Sequence, residues 1–222
     1  MTQIPADYFF LFRSFYLRVS ACICGLILSL AVNAAADNPL DTFLDGLATF
    51  SADFEQVLLD SSGEALEVTR GALRLRRPGM FYWLYNEPYV QEIISDGSSL
   101  WVYEEDLEQV TVSDVSDAVE DTPALIFSGD NDPGEYYVIE ELESEEGGTV
   151  VELTPKNPES YYRLLRLVFS GDELAGMALF DNLGQTLFIS FTNAVRNPEL
   201  KKELFTFSPT DETEVIDARQ PH

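Results

Sequence analysis

From Phe50 onward the chain repeats one pattern, short apolar runs of period two separated by turn-forming residues. Phe50, Ala52, Phe54, Gln56 and Leu58 share a parity, and residues two apart on a strand point to one face. A run over 66–77 ends at Pro78-Gly79, and one over 80–85 ends at Asn86-Glu87-Pro88. The run 90–95 meets Asp96-Gly97, a strong hairpin signal, and returns as 100–103. Further runs cover 107–112, 136–141, 149–154, 162–169, 174–180, 185–192 and 204–207. About a dozen strands in sequential hairpins predict a mainly β, antiparallel fold. A meander of that length must curl to bury a face.

Two segments break the pattern. Asn38 is a capping residue before Pro39, and Leu40, Phe43, Leu44 and Leu47 follow at helical spacing, predicting a short helix that stops near Thr49. Between Val112 and Tyr136 a polar, acidic stretch surrounds Thr122-Pro123, Ala124, Leu125, Ile126 and Phe127, with Gly129 after them. This predicts a second short apolar helix inside an insertion. Neither helix is long enough to be stable alone, so each must lie on something apolar. The open end of a curled sheet is the obvious surface.

The stretch Arg76-Arg77-Pro78-Gly79-Met80-Phe81-Tyr82-Trp83 joins two strands in an unusual way. Leu73, Leu75 and Arg77 share one parity, and Phe81, Trp83 and Tyr85 alternate after the turn. Arg77 therefore faces the same apolar interior as the aromatic wall. A guanidinium there needs acceptors from elsewhere in the fold.

The first 36 residues are expected to be a leader. Arg13 and Arg18 precede an apolar run from Val19 to Val32, and Ala34-Ala35-Ala36 supplies small residues for cleavage after Ala36, or after Ala34. Both cysteines, Cys22 and Cys24, lie in this segment, so the remaining chain has neither disulfide nor thiol chemistry. Arg18 precedes the cysteines and the main apolar run follows them, the wrong order for a lipidation site. A periplasmic, soluble product without an anchor is expected, as one domain over 37–222.

The full chain has 13 basic and 39 acidic side chains, net −26; without Arg13, Arg18 and Asp7 the balance is 11 to 38, net −27. That excludes nucleic acid and anionic lipid surfaces as partners. The acids serve solubility or docking to basic partner surfaces. Chemistry is scarce. The single histidine, His222, is the last residue, which leaves no His-based triad or His metal site. There is no glycine-rich phosphate loop, and Asp130-Asn131-Asp132 lacks the rest of a calcium loop. No catalytic residue, metal or cofactor is expected; an acid pair of glycosidase type is the enzymatic alternative in so acidic a chain.

What the chain does have is apolar surface. The strand faces carry Phe54, Leu73, Leu75, Phe81, Trp83 and Tyr85; the helices add Leu40, Phe43, Leu44, Leu47, Leu125, Ile126 and Phe127. Composition fits a filled core and a lined cavity equally well.

A resemblance favours the cavity. Phe50-Ser51-Ala52-Asp53-Phe54-Glu55-Gln56, Gly71-Ala72-Leu73, Arg77-Pro78-Gly79-Met80-Phe81-Tyr82-Trp83, Ser95-Asp96-Gly97-Ser98-Ser99-Leu100-Trp101-Val102-Tyr103, Thr122-Pro123 and Phe205-Thr206-Phe207-Ser208-Pro209 occur in the order seen in the periplasmic outer-membrane lipoprotein carriers, the LolA family. The resemblance spans about Leu40 to Pro209. It implies an unclosed, strongly curved antiparallel half-barrel with short α-helices as a lid over an apolar cavity. It implies a monomeric carrier that takes acylated lipoproteins from an inner-membrane ABC transporter to an outer-membrane receptor. The family's lid-holding arginine matches Arg77, and its functional aromatic, at the cavity mouth and partner interface, matches Phe81. The strong acidity and the polar stretch 114–120 depart from the family pattern. A carrier of another lipid, such as a phospholipid or glycolipid, would use the same scaffold.

Overall fold

A computed structural model describes residues 38–115, 127, 129, 132–143 and 148–219. The expected leader, its cleavage site, Leu125, Ile126 and His222 lie outside the described residues. The elements, in chain order, are α1 (Pro39–Leu44), β1 (Thr49–Leu59), β2 (Ala65–Arg76), β3 (Met80–Glu87), β4 (Gln91–Asp96), β5 (Ser99–Glu104) and β6 (Gln109–Asp114). Then come α2 (Pro133–Tyr136), β7 (Tyr137–Glu143), β8 (Thr149–Pro155), β9 (Tyr162–Ser170), β10 (Glu173–Asp181), β11 (Thr186–Arg196) and β12 (Glu214–Asp217). Short 3-10 turns occupy Glu105–Leu107 and Lys202–Phe205.

The strands form one open, curved sheet of 12 strands, ordered β12-β6-β5-β4-β3-β2-β1-β11-β10-β9-β8-β7. Two features differ from a simple meander. First, β1 pairs with β11, Phe50 opposite Arg196 and Phe54 opposite Phe191, so the hairpin series is two blocks joined through their long strands. Second, β6 and β7 are not a hairpin. The chain leaves one side of the sheet at Asp114 and resumes at Tyr137 on the far edge. The insertion is therefore the connection that carries the chain from one side to the other.

Turn chemistry sets the hairpins as the residues predict. Asp96 accepts bonds from the Ser98 and Ser99 amides, each 2.8 Å, while Gly97 takes φ +95°. Gly79 has φ +68° and lies against the neighbouring turn; an added Cβ would sit 3.0 Å from the Gly97 Cα. Ser95, fully buried, ties the two turns together by donating to the Gly79 carbonyl at 2.8 Å and accepting from the Gly97 amide.

The α1 helix begins as expected, with the Asn38 side chain accepting from the Asp41 amide. It ends at Leu44, earlier than the spacing predicts, because Asp45 is extended and Gly46 takes φ +62°. Leu47 is still buried, but from the connecting loop. The expected strand over 204–207 is instead the 3-10 turn Lys202–Phe205 followed by extended chain. Its Phe205 is fully buried, and Phe207 lies 5.1 Å from the Tyr103 ring. This segment contacts β3 and β4 on the convex side, over a small second core that includes Ile94. Beyond it, β12 adds to β6 in parallel, the one parallel pairing among the described strands.

The main core lies on the concave side. Phe43 of α1 places its ring 5.5 Å from Phe50 of β1 and 5.9 Å from Phe169 of β9. A flat sheet would hold β1 and β9, three strands apart, roughly 14 Å from each other. One side chain reaching both requires the curl.

Candidate functional site

The concave floor is built row by row from the strand register. Phe50, Leu75 and Phe81 stand opposite one another on β1, β2 and β3; Ala52, Leu73 and Trp83 form the next row. The third row is Phe54, Gly71 and Tyr85. Leu73, Leu75 and Phe81 are fully buried, while Tyr85 is only partly so. Gly71 is demanded by this packing. A Cβ there would lie 1.8 Å from the Leu84 carbonyl oxygen and 2.8 Å from the Phe54 ring. Without it, Phe54 crosses the floor and contacts Trp83 at 4.7 Å and Tyr85 at 5.5 Å between ring centroids.

The opposite wall comes from the second block, including Val151, Leu153, Leu165, Leu167, Met177 and Ile189, all buried. Sequence reading identified these strands but assigned none of their residues to the site. The signal was present as period-two alternation in β8 and β9. The pairing of β1 with β11 is what turns that face inward.

Leu40, Phe43, Leu47 and Phe127 close the concave side from above, each at most 5% exposed. Phe127 comes from the insertion and packs edge-on against Phe43 at 5.9 Å. Leu44 is partly buried against the same cluster. The structure thus brings the described candidates together in one cluster. Phe81 is the exception to its expected surroundings: its parity with Trp83 puts it on the covered floor, fully buried, not at an exposed mouth. It could meet a partner only with the cover displaced.

Arg77 sits at the seam between floor and cover. Its backbone amide donates to the Ala48 carbonyl. Its guanidinium donates to the Leu44 carbonyl at 3.2 Å and to the Gly129 carbonyl at 2.7 Å. Leu44 ends α1, where carbonyls lack helical partners, and Gly129 belongs to the insertion. One planar fork therefore bridges two separate pieces of the cover to the end of β2.

A groove of about 610 Å³ lies elsewhere, lined by Asp53, Glu55, Arg70 and Glu87 among others. Asp53, Glu55 and Arg70 have the parity opposite to the floor, so the groove opens on the convex face. Arg70 is held there between Glu55 at 2.6 Å and Glu87 at 3.0 Å. Most of the lining residues are charged or polar, a poor surface for an acyl chain.

Among the described residues no group of three or more metal-ligating side chains is assembled, and no helix is long and apolar enough to cross a membrane.

Comparison with known proteins identifies this architecture. The family profile described as "Outer membrane lipoprotein carrier protein LolA" matches residues 45–208. A protein of Methylococcus capsulatus named "Outer-membrane lipoprotein carrier protein" is 40% identical over 202 residues, covering 91% of this chain and 97% of its own. One of the same name from Nitrosomonas europaea is 36% identical over 203 residues, with the same coverage of both chains. An uncharacterized conserved protein of Thermus thermophilus, known from a crystal structure, aligns with TM-score 0.52 at 13% identity, covering 81% of this chain and 96% of its own. That likeness concerns the fold alone.

Proposed function

The chain belongs to the LolA family of outer-membrane lipoprotein carriers, and on that premise we propose that it shields the acyl chains of lipoproteins in transit through the periplasm. It takes them from a lipoprotein-releasing ABC transporter of the inner membrane and yields them to an outer-membrane receptor. It acts as a monomeric, non-enzymatic carrier over residues 37–222 after loss of its leader. The observation that carries this reading is that the concave floor is covered by apolar side chains on short pieces of chain, which Arg77 ties together while Arg196 and Asn197 hold the carbonyls of Asp45 and Gly46 just after α1.

The energies support a reversible exchange. Displacing the cover re-exposes Leu40, Phe43, Leu47 and Phe127, at about 1.5–3 kcal/mol each. It also breaks the two Arg77 bonds, at about 1.5–3 kcal/mol each. Opening therefore costs on the order of 9–18 kcal/mol by these two rules. A sixteen-carbon acyl chain gains about 12 kcal/mol on burial, at roughly 0.8 per methylene. One chain roughly cancels the cost of opening, whereas two or three exceed it. The cover therefore discriminates between a free fatty acid and a multiply acylated cargo, and it lowers the net affinity for any cargo by the cost of opening.

The test is a titration with palmitate, a diacylated and a triacylated lipopeptide of equal chain length. Affinity should rise steeply from one chain to two. Equal affinities for all three, or no binding of any, would refute the carrier reading. Mass spectrometry of ligand co-purified from periplasm would identify the natural lipid.

A further inference from the structure

Four polar side chains are buried among the described residues: Thr49, Thr69, Ser95 and Asp181. Three are satisfied. Thr49 donates to the Pro198 carbonyl at 2.6 Å, Ser95 bonds at both turns, and Asp181 accepts from the Leu183 and Gln185 amides. Thr69 is not: its hydroxyl has no partner, and the residue is 2% exposed. The indole Nε1 of Trp83, in a residue 3% exposed, is likewise unbonded. An unmatched buried donor costs about 1–3 kcal/mol.

Both unmatched donors lie on the concave floor and on neighbouring strands. Trp83 stands opposite Leu73, and Thr69 stands opposite Gln56, two rows further along β2. Phe54 and Tyr85 occupy the row between them. The floor thus changes character along its length. It is apolar beneath Phe43 and Phe127, then carries Trp83, Tyr85, Gln56 and Thr69. The Tyr85 hydroxyl makes only a long bond, 3.4 Å, to the Gln56 side-chain oxygen. Burial pushes the Tyr85 hydroxyl up to about 12, so it stays protonated as a donor. The Trp83 indole also acts on that hydroxyl but makes no hydrogen bond that satisfies its own N–H.

We propose that the Trp83 indole N–H and the Thr69 hydroxyl are a subsite for the acyl carbonyls of the cargo, fixing the ester- or amide-bearing ends of its chains on β2 and β3. This deepens the carrier reading and rests on it. Indole nitrogen can only donate, and a carbonyl oxygen can only accept. The hydrocarbon part of an acyl chain has no other polar atom to offer. The two donors sit in separate rows, which suits a ligand bearing more than one acyl carbonyl. With the cover down they have no partner, and a seated chain supplies one.

Two probes test it: a cysteinyl lipopeptide carrying two ester-linked palmitoyl chains on glycerol, and its ether-linked dihexadecyl analogue, which lacks both carbonyls. Two variants each remove a donor: Thr69→Val nearly keeps the shape, and Trp83→Phe keeps an aromatic ring in a smaller volume. The wild-type protein should prefer the ester probe. Each variant should lose roughly three- to tenfold in ester affinity, as expected for one hydrogen bond, with ether affinity unchanged. Ligand-free thermal stability should hold or rise in Thr69→Val, since the unmatched donor is gone at nearly constant volume. Equal wild-type affinity for both probes, or equal losses for both in the variants, would overturn the subsite while leaving the carrier reading intact. Binding of neither probe by the wild-type protein would sink both.

Discussion

Replacing Arg77 by leucine isolates the bridge between floor and cover. The 2.7 Å bond to Gly129 sits at the strong end of the range for charged donors and the 3.2 Å bond to Leu44 at the weak end. Together they amount to about 4 kcal/mol. The two carbonyls regain water when the cover lifts, and Arg77 is only half-buried, so about 3 kcal/mol is the expected change in the closed-to-open balance. That is roughly a hundredfold in the equilibrium. Loading requires the open form, so apparent affinity for cargo should tighten as that form becomes more populated. Release should slow by a comparable factor, because unloading no longer regains the two bonds. Arg77→Lys should fall between, since a point charge bridges two carbonyls poorly. The assay is transfer of a triacylated lipoprotein from loaded carrier to receptor, read beside the distance between labels on α1 and β3. A leucine variant with wild-type transfer rate, affinity and label distance would show that the bridge does not control the cover.

Three further outcomes are expected. Gly71→Ala should destabilise the protein by about 3 kcal/mol in urea unfolding, because its Cβ meets the Leu84 carbonyl and the Phe54 ring; a neutral result would mean the β2–β3 register relaxes easily. Phe205→Ala should cost about 3–5 kcal/mol of stability while leaving acyl-probe affinity unchanged, since its ring packs on the convex side; a matching loss of affinity would couple the two faces. Burial alone would raise the Asp96 carboxyl, but bonds from Ser99 and Ser98 outweigh it and hold it below the usual range. Its contribution is present above the unfolded value of about 3.9 and lost as pH falls through the lower folded value. Asp96→Asn should therefore be less stable at pH 7, with the gap closing in acid; a gap independent of pH would exclude the charge as its cause.

Local chemistry made much of this fold readable in the residues. Asp96-Gly97 and Pro78-Gly79 mark turns, Asn38 marks a helix start, and parity places Arg77 with Leu73 and Leu75. Each of these is decided by neighbours along the chain. What was hidden depends on partners far away. Nothing near Phe50 announces Arg196 opposite it, and no spacing places the insertion between the two sides of the sheet. The residues of β6 do not by themselves decide its face, because Val110 and Val112 point away from the floor and are buried there all the same. The helix end was misjudged because Leu47 keeps the apolar spacing after the backbone has left the helix. Thr69 and the Trp83 indole looked unremarkable as residues. Their importance lies in having no partner, a property of the folded arrangement alone.

An unclosed sheet keeps two rims of unpaired backbone groups, the usual starting points for strand exchange and fibre growth. Here one rim is β7, with Glu140 and Glu141 exposed, and the other is β12, with Glu214 exposed and Asp217 paired with Arg219. Two copies meeting through their β7 rims would bring carboxylates against carboxylates. The openness of the sheet would otherwise invite polymerisation. The exposed acids of β7 thus set like charges along one free margin, which opposes contact between copies there.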